Sequence, residues 1–489
     1  MDATRVSTTP LTPPTSASTA ARSAVVVGGG RAGIAAAVKR AERGVRVTLV
    51  ETRKRLGGRA TSFNDPDTGE LLDNCQHVLL GCCTNLLDLY ERLSVGGSVD
   101  WHRTLYFRDA AGHLDTLSPS DLPAPLHLSA ALLGFRSLSL ADKLAIGRGM
   151  LAIMRIGRAG RARLGDESFE HWLGRHGQTR SAIDRFWGVI VISACNESLD
   201  RVAARYALQV FQDGMLNHAA SSRMGLSAVP LEKLYDPAVA AVERAGGRVL
   251  LSTSADGFTF DATTRRITGL RIDTGETLTA DAFVTTVPPD RLAKLAPADA
   301  VAADARLRRL HEVRFSPIIG IHLWYAAPPG RALMPLPHLI LMDSPLQWVF
   351  RKTPDAAGGA AEEHLHGVIS AAHEWVSTPA ADIAAMADAE VRKALQWTDP
   401  APLLRHRVVK EKRATFSVAP GVDALRPPAR GAIANLLIAG DWSDTGWPAT
   451  MEGAVRSGYT AAAATLGEPG EGLVPDLDDA PLYRALSPS

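Results

Sequence analysis

The sequence predicts an α/β fold, and three observations predict it. The run AVVVGGG from Ala24 reads as a buried strand that ends in Gly28-x-Gly30-x-x-Gly33, and RAGIAAAVKRAERG after it reads as a helix stopped by Gly44. VRVTLVE (45–51) is a second apolar strand, which closes a βαβ unit. Far along the chain, NLLIAGDW (435–442) reads as another buried strand and MEGAVRSGYTAAAATL (451–466) as a helix. A Rossmann-type domain assembled from separated stretches of chain follows, with other structure inserted between them.

The intervening elements read in order. TLYFRDAAGHLDTL (104–117) is a hairpin turning near Ala110–Gly112. From about Pro123 to Leu234 helical signals dominate and strands vanish. DPAVAAVERAGGRVLLSTSADGF (236–258) restores helix, break and strand, and the segments from FTFD to DAFVTTVP (258–288) read as a small antiparallel meander. PIIGIHLWYA, HLILMD, QWVFRK and HLHGVISAA, between 317 and 372, suggest a second, more exposed sheet, followed by a helix near 381–396. The expected division is a leader over 1–23, a discontinuous dinucleotide-binding domain over 24–95, 236–300 and 405–470, and an α+β substrate-binding domain with a helical cap over 96–235 and 301–404. A C-terminal tail covers 471–489.

Composition narrows the function class. At 489 residues the chain has room for two to three units of roughly 150 residues. Lys plus Arg (53) against Asp plus Glu (52) leaves +1, without the basic surplus of a nucleic-acid binder. The four cysteines, Cys75, Cys82, Cys83 and Cys195, form no CxxC pair, so neither a disulfide framework nor a zinc site is expected and a reducing cytoplasm fits. Residues 1–23 hold 17 Ser, Thr, Pro or Ala and no apolar core, which reads as a disordered leader. No apolar run approaches the roughly 18 residues of a membrane span.

The glycine motif has a physical meaning at each position. Gly28 permits the tight turn, Gly30 lets backbone approach a pyrophosphate, and Gly33 lets the helix pack close to the strand. The helix N-terminus offers unpaired N–H groups to the phosphates. Glu51, 23 residues after Gly28, can accept from ribose hydroxyls, which disfavours a 2′-phosphate.

RLGGRATS (55–62) follows the second strand, and GDWSDTGWPATMEGAVRSG (440–458) closes the fold. With these two strings beside the glycine motif, the chain resembles the FAD-dependent amine oxidase and phytoene desaturase superfamily from Ala24 to about Leu466. The resemblance implies an amine-oxidase-like fold and FAD. It implies that Gly58 and Arg59 meet the pyrophosphate, that Asp441 meets the ribityl or pyrophosphate region, and that backbone at Ala255 touches adenine. N–H groups around Met451 and Glu452 would face the flavin edge, where a helix N-terminus stabilises the negative charge of a reduced flavin. The closing motif has Ser443, Asp444 and Thr445 where a covalently attaching cysteine would stand, so the FAD is expected to be noncovalent.

LLDNCQHVLLGC (71–82) crowds Asp73, Asn74, Gln76 and His77 into an otherwise apolar segment, and buried polar groups need partners. Two readings stand: a satisfied network holding the loop beneath the flavin, or direct chemistry. Together with TGWPATMEGAVRSG this string resembles a narrower branch, the hydroxysqualene dehydroxylases, with Cys75 in place of a usual glycine and Trp447 at an often aliphatic position. The branch implies reductive loss of an allylic hydroxyl from hydroxysqualene to give squalene and water. Such a reaction needs an acid, for which His77 or Asp73 are the candidates, and a dry pocket. Trp442 and Trp447 either wall that pocket with π-faces or pack against the cofactor. The alternatives are an isoprenoid desaturase or another flavoenzyme of the superfamily, and a redox-silent flavin-bound scaffold in a squalene-forming complex. A single dinucleotide motif leaves the electron donor unnamed, and nothing in the sequence sets the oligomeric state.

Residues 143–164 carry Lys143, Arg148, Arg155, Arg158, Arg161 and Arg163 with no acid, opposite an apolar side. Either this is a cap helix with solvated arginines or a basic amphipathic helix resting on anionic lipid, which would place the protein on the inner face of the cytoplasmic membrane. His364-x-His366 puts two imidazoles on one strand face without a third ligand, so no metal is expected. Lys410–Arg413 (KEKR) reads as a solvated strand end.

Overall fold

The strand Ser23–Val27 lies at the centre of a five-stranded parallel sheet in the order Arg248–Leu250, Arg46–Val50, Ser23–Val27, Ala282–Thr285, Leu436–Ile438. The computed structural model describes residues 22–327, 332–352, 361–397, 401–467 and 472–487. Alternate side chains of the central strand feed two cores, Val25 and Val27 into one and Ala24 and Val26 into the other, as burial on both faces of a parallel sheet requires. The helices Arg31–Ala41 and Met451–Leu466 pack on one of these faces, so close that a Cβ on Gly458 would stand 2.3 Å from the Ala32 carbonyl oxygen. DAFVTTVP therefore joins the parallel sheet and not the meander, which is the three-stranded set Ala255–Asp261, Arg266–Ile272 and Thr277–Leu278.

A seven-stranded sheet forms the second layer, in the order Leu403–Phe416, Phe315–Ala326, Glu362–Ile369, Trp348–Arg351, His338–Leu341, Leu105–Arg108, Leu114–Leu117. The expectation of a more exposed sheet is corrected: Ile319, Ile321, Leu323 and Tyr325 on one strand are wholly buried. Polar and charged residues along these strands misled the reading, because several face a cavity instead of solvent. The expected domain boundary at 404/405 also falls inside a strand, since Leu403–Phe416 pairs with Phe315–Ala326 along almost its whole length. Strands do not vanish before Leu234 either, for Met224–Ser227 pairs with both Val78–Leu80 and Val99–His102.

The helical cap includes Leu140–Ala162, Phe169–Arg175, Val189–Cys195 and Ala204–Phe211. The first of these is broken at Gly157, which takes φ +62°, a conformation glycine adopts without a Cβ penalty. π-helical turns at Ile183–Gly188 and Gln212–Leu216 adjoin Val189–Cys195 and Ala204–Phe211. Most of the expected leader lies outside the described residues, but Arg22 and Ser23 are ordered by donating their N–H groups to Asp281 at 2.9 Å. Within the expected tail, Pro481–Leu486 is a helix with Tyr483 buried. Among the described residues no helix is long and apolar enough to cross a membrane.

Candidate active site

Glycine turn, GGR segment and closing helix meet at one place. At the turn, Glu51 accepts from the N–H groups of Gly29 (2.6 Å) and Arg53 (2.8 Å). A Cβ on Gly33 would stand 1.8 Å from the Gly28 carbonyl oxygen, and one on Gly58 2.8 Å from Gly30 Cα. Ala255 begins its strand two residues after Thr253, whose N–H donates to the Glu51 carbonyl at 3.0 Å. Arg59 and Asp441, 382 residues apart, form an ion pair, and Arg59 also donates to the Ala414 carbonyl at 3.0 Å.

Beside this cradle lies a cavity of about 350 Å³ whose lining includes Arg31, Arg59, Gln76, His77, Asp441, Trp447, Met451 and Glu452. Arg31, which no motif in the sequence singled out, opens the helix; its Nε donates to Tyr235 Oη at 2.8 Å, while its Nη2 is buried without a hydrogen-bond partner. An orphaned guanidinium nitrogen at a glycine-rich helix N-terminus fits an anionic diphosphate. Thr450 caps the closing helix by accepting from the Gly453 N–H at 3.0 Å. Glu452, which lines the cavity, directs its carboxylate to the N–H groups of Asn85 (3.2 Å) and Leu86 (2.8 Å). Burial raises its carboxyl pKa above the usual range.

The remaining wall is apolar: Val189, Ile190, Val210, Ile340, Trp348 and Phe350. The Trp348 and Phe350 rings stack at 5.2 Å, and Trp348 Nε1 donates to Ser193 Oγ at 2.7 Å. Trp447 lines the cavity and Trp442 does not. Its indole is buried and donates to the Val287 carbonyl at 3.1 Å, in space left by Gly440.

Each of the two nominated acids has partners within the protein. Asp73 lies outside the cavity wall and accepts from Ser62 Oγ (2.8 Å), the Leu231 N–H (2.9 Å) and Lys352 Nζ (3.2 Å), which ties the loop in place. Lys352 also donates to Gln76 Oε1 at 3.0 Å. His77 Nδ1 lies 3.0 Å from the Cys75 carbonyl, which can only accept, so the proton sits on Nδ1 and Nε2 is bare. Burial pushes its pKa down to about 3, with Arg31 adding to the shift, which favours a neutral imidazole over the protonated acid the reaction calls for. Burial likewise pushes the Cys75 thiol up to about 12, which keeps this cavity cysteine an unreactive thiol. Asp73→Asn is expected to cost about 3 kcal/mol of stability by breaking the pair with Lys352. Turnover per bound flavin should stay near the parental value, and thermal melts alongside activity normalised to flavin check both halves.

Sequence reasoning missed Glu411. It lines the cavity within the supposedly solvated KEKR run and accepts from Asn74 Nδ2 at 3.0 Å. Alternation along Leu403–Phe416 was the available signal, but the run's charges hid it. His364 and His366 join His322, which donates from Nε2 to the Asp73 carbonyl at 3.0 Å and shares a 2.9 Å hydrogen bond with His364. Among the described residues no group of side chains is arranged to hold a metal ion.

Comparison with known proteins agrees with this geometry. Residues 31–466 match the family described as flavin containing amine oxidoreductase. The chain is 27% identical over 456 residues to a 15-cis-phytoene desaturase of Synechococcus elongatus, covering 90% of this chain and 95% of that protein. It is 29% identical over 466 residues to a hydroxysqualene dehydroxylase of Rhodopseudomonas palustris, covering 90% and 97%. Among solved structures, an oxidoreductase from Methanosarcina mazei superposes with a TM-score of 0.68 at 16% identity, over 89% of this chain and 98% of that one.

Proposed function

The chain belongs to the flavin containing amine oxidoreductase family, and from that premise we propose that this FAD-dependent oxidoreductase reductively removes the allylic hydroxyl of hydroxysqualene to give squalene. The observation that carries the reading is the hydrocarbon-lined cavity, with Ile340, Trp348 and Phe350 on the sheet side and Val189, Ile190 and Val210 on the helical side, opening beside the glycine turn and the closing helix. Similarity to a hydroxysqualene dehydroxylase over nearly the full length of both chains supports the direction of the reaction.

FAD would be held noncovalently, with Glu51 and the Ala255 backbone at the adenosine, Gly28, Gly30, Gly33, Arg31, Gly58 and Arg59 at the pyrophosphate, Asp441 at the ribityl chain and the N–H groups of Met451 and Glu452 at the ring. When bound in reduced form it supplies a hydride, and the balance is hydroxysqualene plus reduced cofactor to squalene, water and oxidised cofactor. The chain supplies the rest. Glu411 gives a proton to the hydroxyl oxygen as the C–O bond breaks, so the oxygen leaves as water. Trp348 and Phe350 present ring faces to the positive charge that develops on the allylic carbons. The aliphatic wall excludes the water that would recapture it. Gln76 and His77, fixed by Lys352 and the Cys75 carbonyl, shape the floor.

A second reading has a specific observation in its favour, the similarity to phytoene desaturases, which act in the opposite redox sense in such a pocket. Anaerobic mixing of the photoreduced enzyme with hydroxysqualene separates the two. Recovery of oxidised-flavin absorbance with one squalene per flavin is the expected result. Unchanged absorbance together with bleaching of the oxidised enzyme by phytoene would replace it with the desaturase reading.

A further inference from the structure

The exposed large hydrophobics of this protein are not scattered. Among the described residues they are Leu114, Leu122, Leu126, Leu133, Leu140, Leu144 and Leu404, so all but the last fall within 114–144. Leu133 and Leu140 are the most open, at 64% and 68%. Hydrogen bonds tie together the segments that carry Leu114, Leu126, Leu133, Leu140 and Leu144. Asp115, beside Leu114, accepts from the N–H groups of Arg136 (2.7 Å) and Ser137 (3.0 Å). Ser129 Oγ donates to the Leu126 carbonyl at 2.6 Å, and Lys143 Nζ donates to the Leu133 carbonyl at 2.7 Å, joining the helix Ser129–Gly134 to the start of Leu140–Ala162. Single exposed leucines need no explanation, but a contiguous group does.

The exposed charge around Leu133, Leu140 and Leu144 is predominantly positive. Arg136, Arg148 and Arg155 are exposed and Lys143 is half-buried. Of the acids in 114–164, Asp115 and Asp142 are buried and engaged by backbone N–H and hydroxyl groups, and Asp121 alone is exposed. The patch is also the outer side of the cavity wall. Phe107 lines the cavity and packs its ring 5.3 Å from that of Phe135, two residues from Leu133. Leu105 lines it too, from a strand paired with Leu114–Leu117.

We propose that this surface docks on an anionic lipid bilayer, with Leu133, Leu140 and Leu144 entering the acyl region and Arg136, Lys143 and Arg148 meeting headgroup phosphates. The contact expected over 143–164 is thereby moved toward the N-terminal end of the helix. Arg158 is held by Asp213 (2.9 Å) and Asp479 (2.7 Å), and Arg161 by Asp213 (3.0 Å), so neither faces lipid. Only the identity of what would pass from bilayer to cavity rests on the isoprenoid reading; the docking does not.

The test is flotation of the holoenzyme with vesicles of phosphatidylcholine alone or in equal parts with phosphatidylglycerol. The parent is expected to float with the anionic vesicles, and L133E/L140E/L144E to lose roughly tenfold or more in partitioning while keeping its flavin. Arg136→Glu with Arg148→Glu should lose the preference for phosphatidylglycerol. Should the triple variant shed its flavin, Leu140→Ser alone gives the same reading at the most exposed of these leucines. A parent that floats with neither vesicle overturns the proposal, as does a triple variant that floats like the parent. A parental dimer that the triple variant breaks, with no flotation, would assign the face to a second copy of the chain. Hydroxysqualene turnover in detergent should be parental in these variants, so a failure of the dehydroxylase reading and a failure of docking are read separately.

Discussion

Gly33→Val is expected to yield a chain that retains no flavin. The added Cβ would lie 1.8 Å from the Gly28 carbonyl oxygen and 2.9 Å from Thr286 Oγ1. Neither can yield cheaply, because Thr286 Oγ1 lies 2.9 Å from the Gly28 carbonyl oxygen and 3.0 Å from the Val27 carbonyl oxygen and shares its one proton between them, tying the turn to the neighbouring strand. The helix must therefore lift off the sheet, and its first-turn N–H groups and the Arg31 guanidinium leave the position a diphosphate needs. Overpacking of this kind costs about 1–3 kcal/mol in an ordinary core, and here the strained element is itself the binding element. Gly58→Ala gives the graded comparison, with a Cβ 2.8 Å from Gly30 Cα and φ +65°; weaker flavin retention with a folded chain is expected. Flavin absorbance per protein after desalting, read beside a thermal melt, checks both. A stoichiometric flavin in Gly33→Val would overturn the placement of the cofactor over this turn.

Gly28, Gly30 and Gly33 were legible in the sequence because the βαβ unit is local, with strand, turn, helix and Glu51 all within 23–51, whereas Gly58 was nominated only through the resemblance carried by RLGGRATS. The closing helix, likewise local, was legible too. What the sequence hid was set by distant pairings. Asp73 looked like an acid until Ser62, Leu231 and Lys352 consumed its oxygens, the last 279 residues away. Trp442 and Trp447 were equivalent candidates as text, yet one donates to Val287 and is sealed in the core while the other lines the cavity. Trp348 and Phe350 read as ordinary strand residues, and only the seven-stranded sheet turns them together toward the cavity. Charge concealed two features: Glu411 lines the cavity from a run whose Lys412 and Arg413 are exposed, and Arg158 and Arg161 are held by acids from other parts of the chain.

Glu411→Gln is expected to slow flavin reoxidation by hydroxysqualene by about 10²–10⁴-fold, the usual contribution of a positioned proton donor, without loss of bound flavin. The other cavity carboxyls are already engaged. Asp213 is held between Arg158 and Arg161, and Asp441 by Arg59, so the oxygens of each are engaged by guanidinium groups. Glu452 spends its oxygens on the Asn85 and Leu86 N–H groups. Glu411 accepts from the neutral Asn74 amide, and among the described residues no cation pairs with it. His77 cannot take its place, for with Nδ1 donating to the Cys75 carbonyl its free nitrogen offers a lone pair and not a proton. Its pKa of about 3 lies well below the ordinary value, so the imidazole gains no charge across about pH 5 to 8 and contributes no break to a pH–rate profile there. Gln keeps the shape and the Asn74 contact but has no acidic proton, so the single-turnover rate should fall while KM moves little. His77→Gln should lower the rate far less, and Asp73→Asn should leave it parental per flavin. The reverse order, with His77→Gln abolishing reoxidation and Glu411→Gln indistinguishable from the parent, would return proton delivery to the imidazole and require the bound substrate to recharge it.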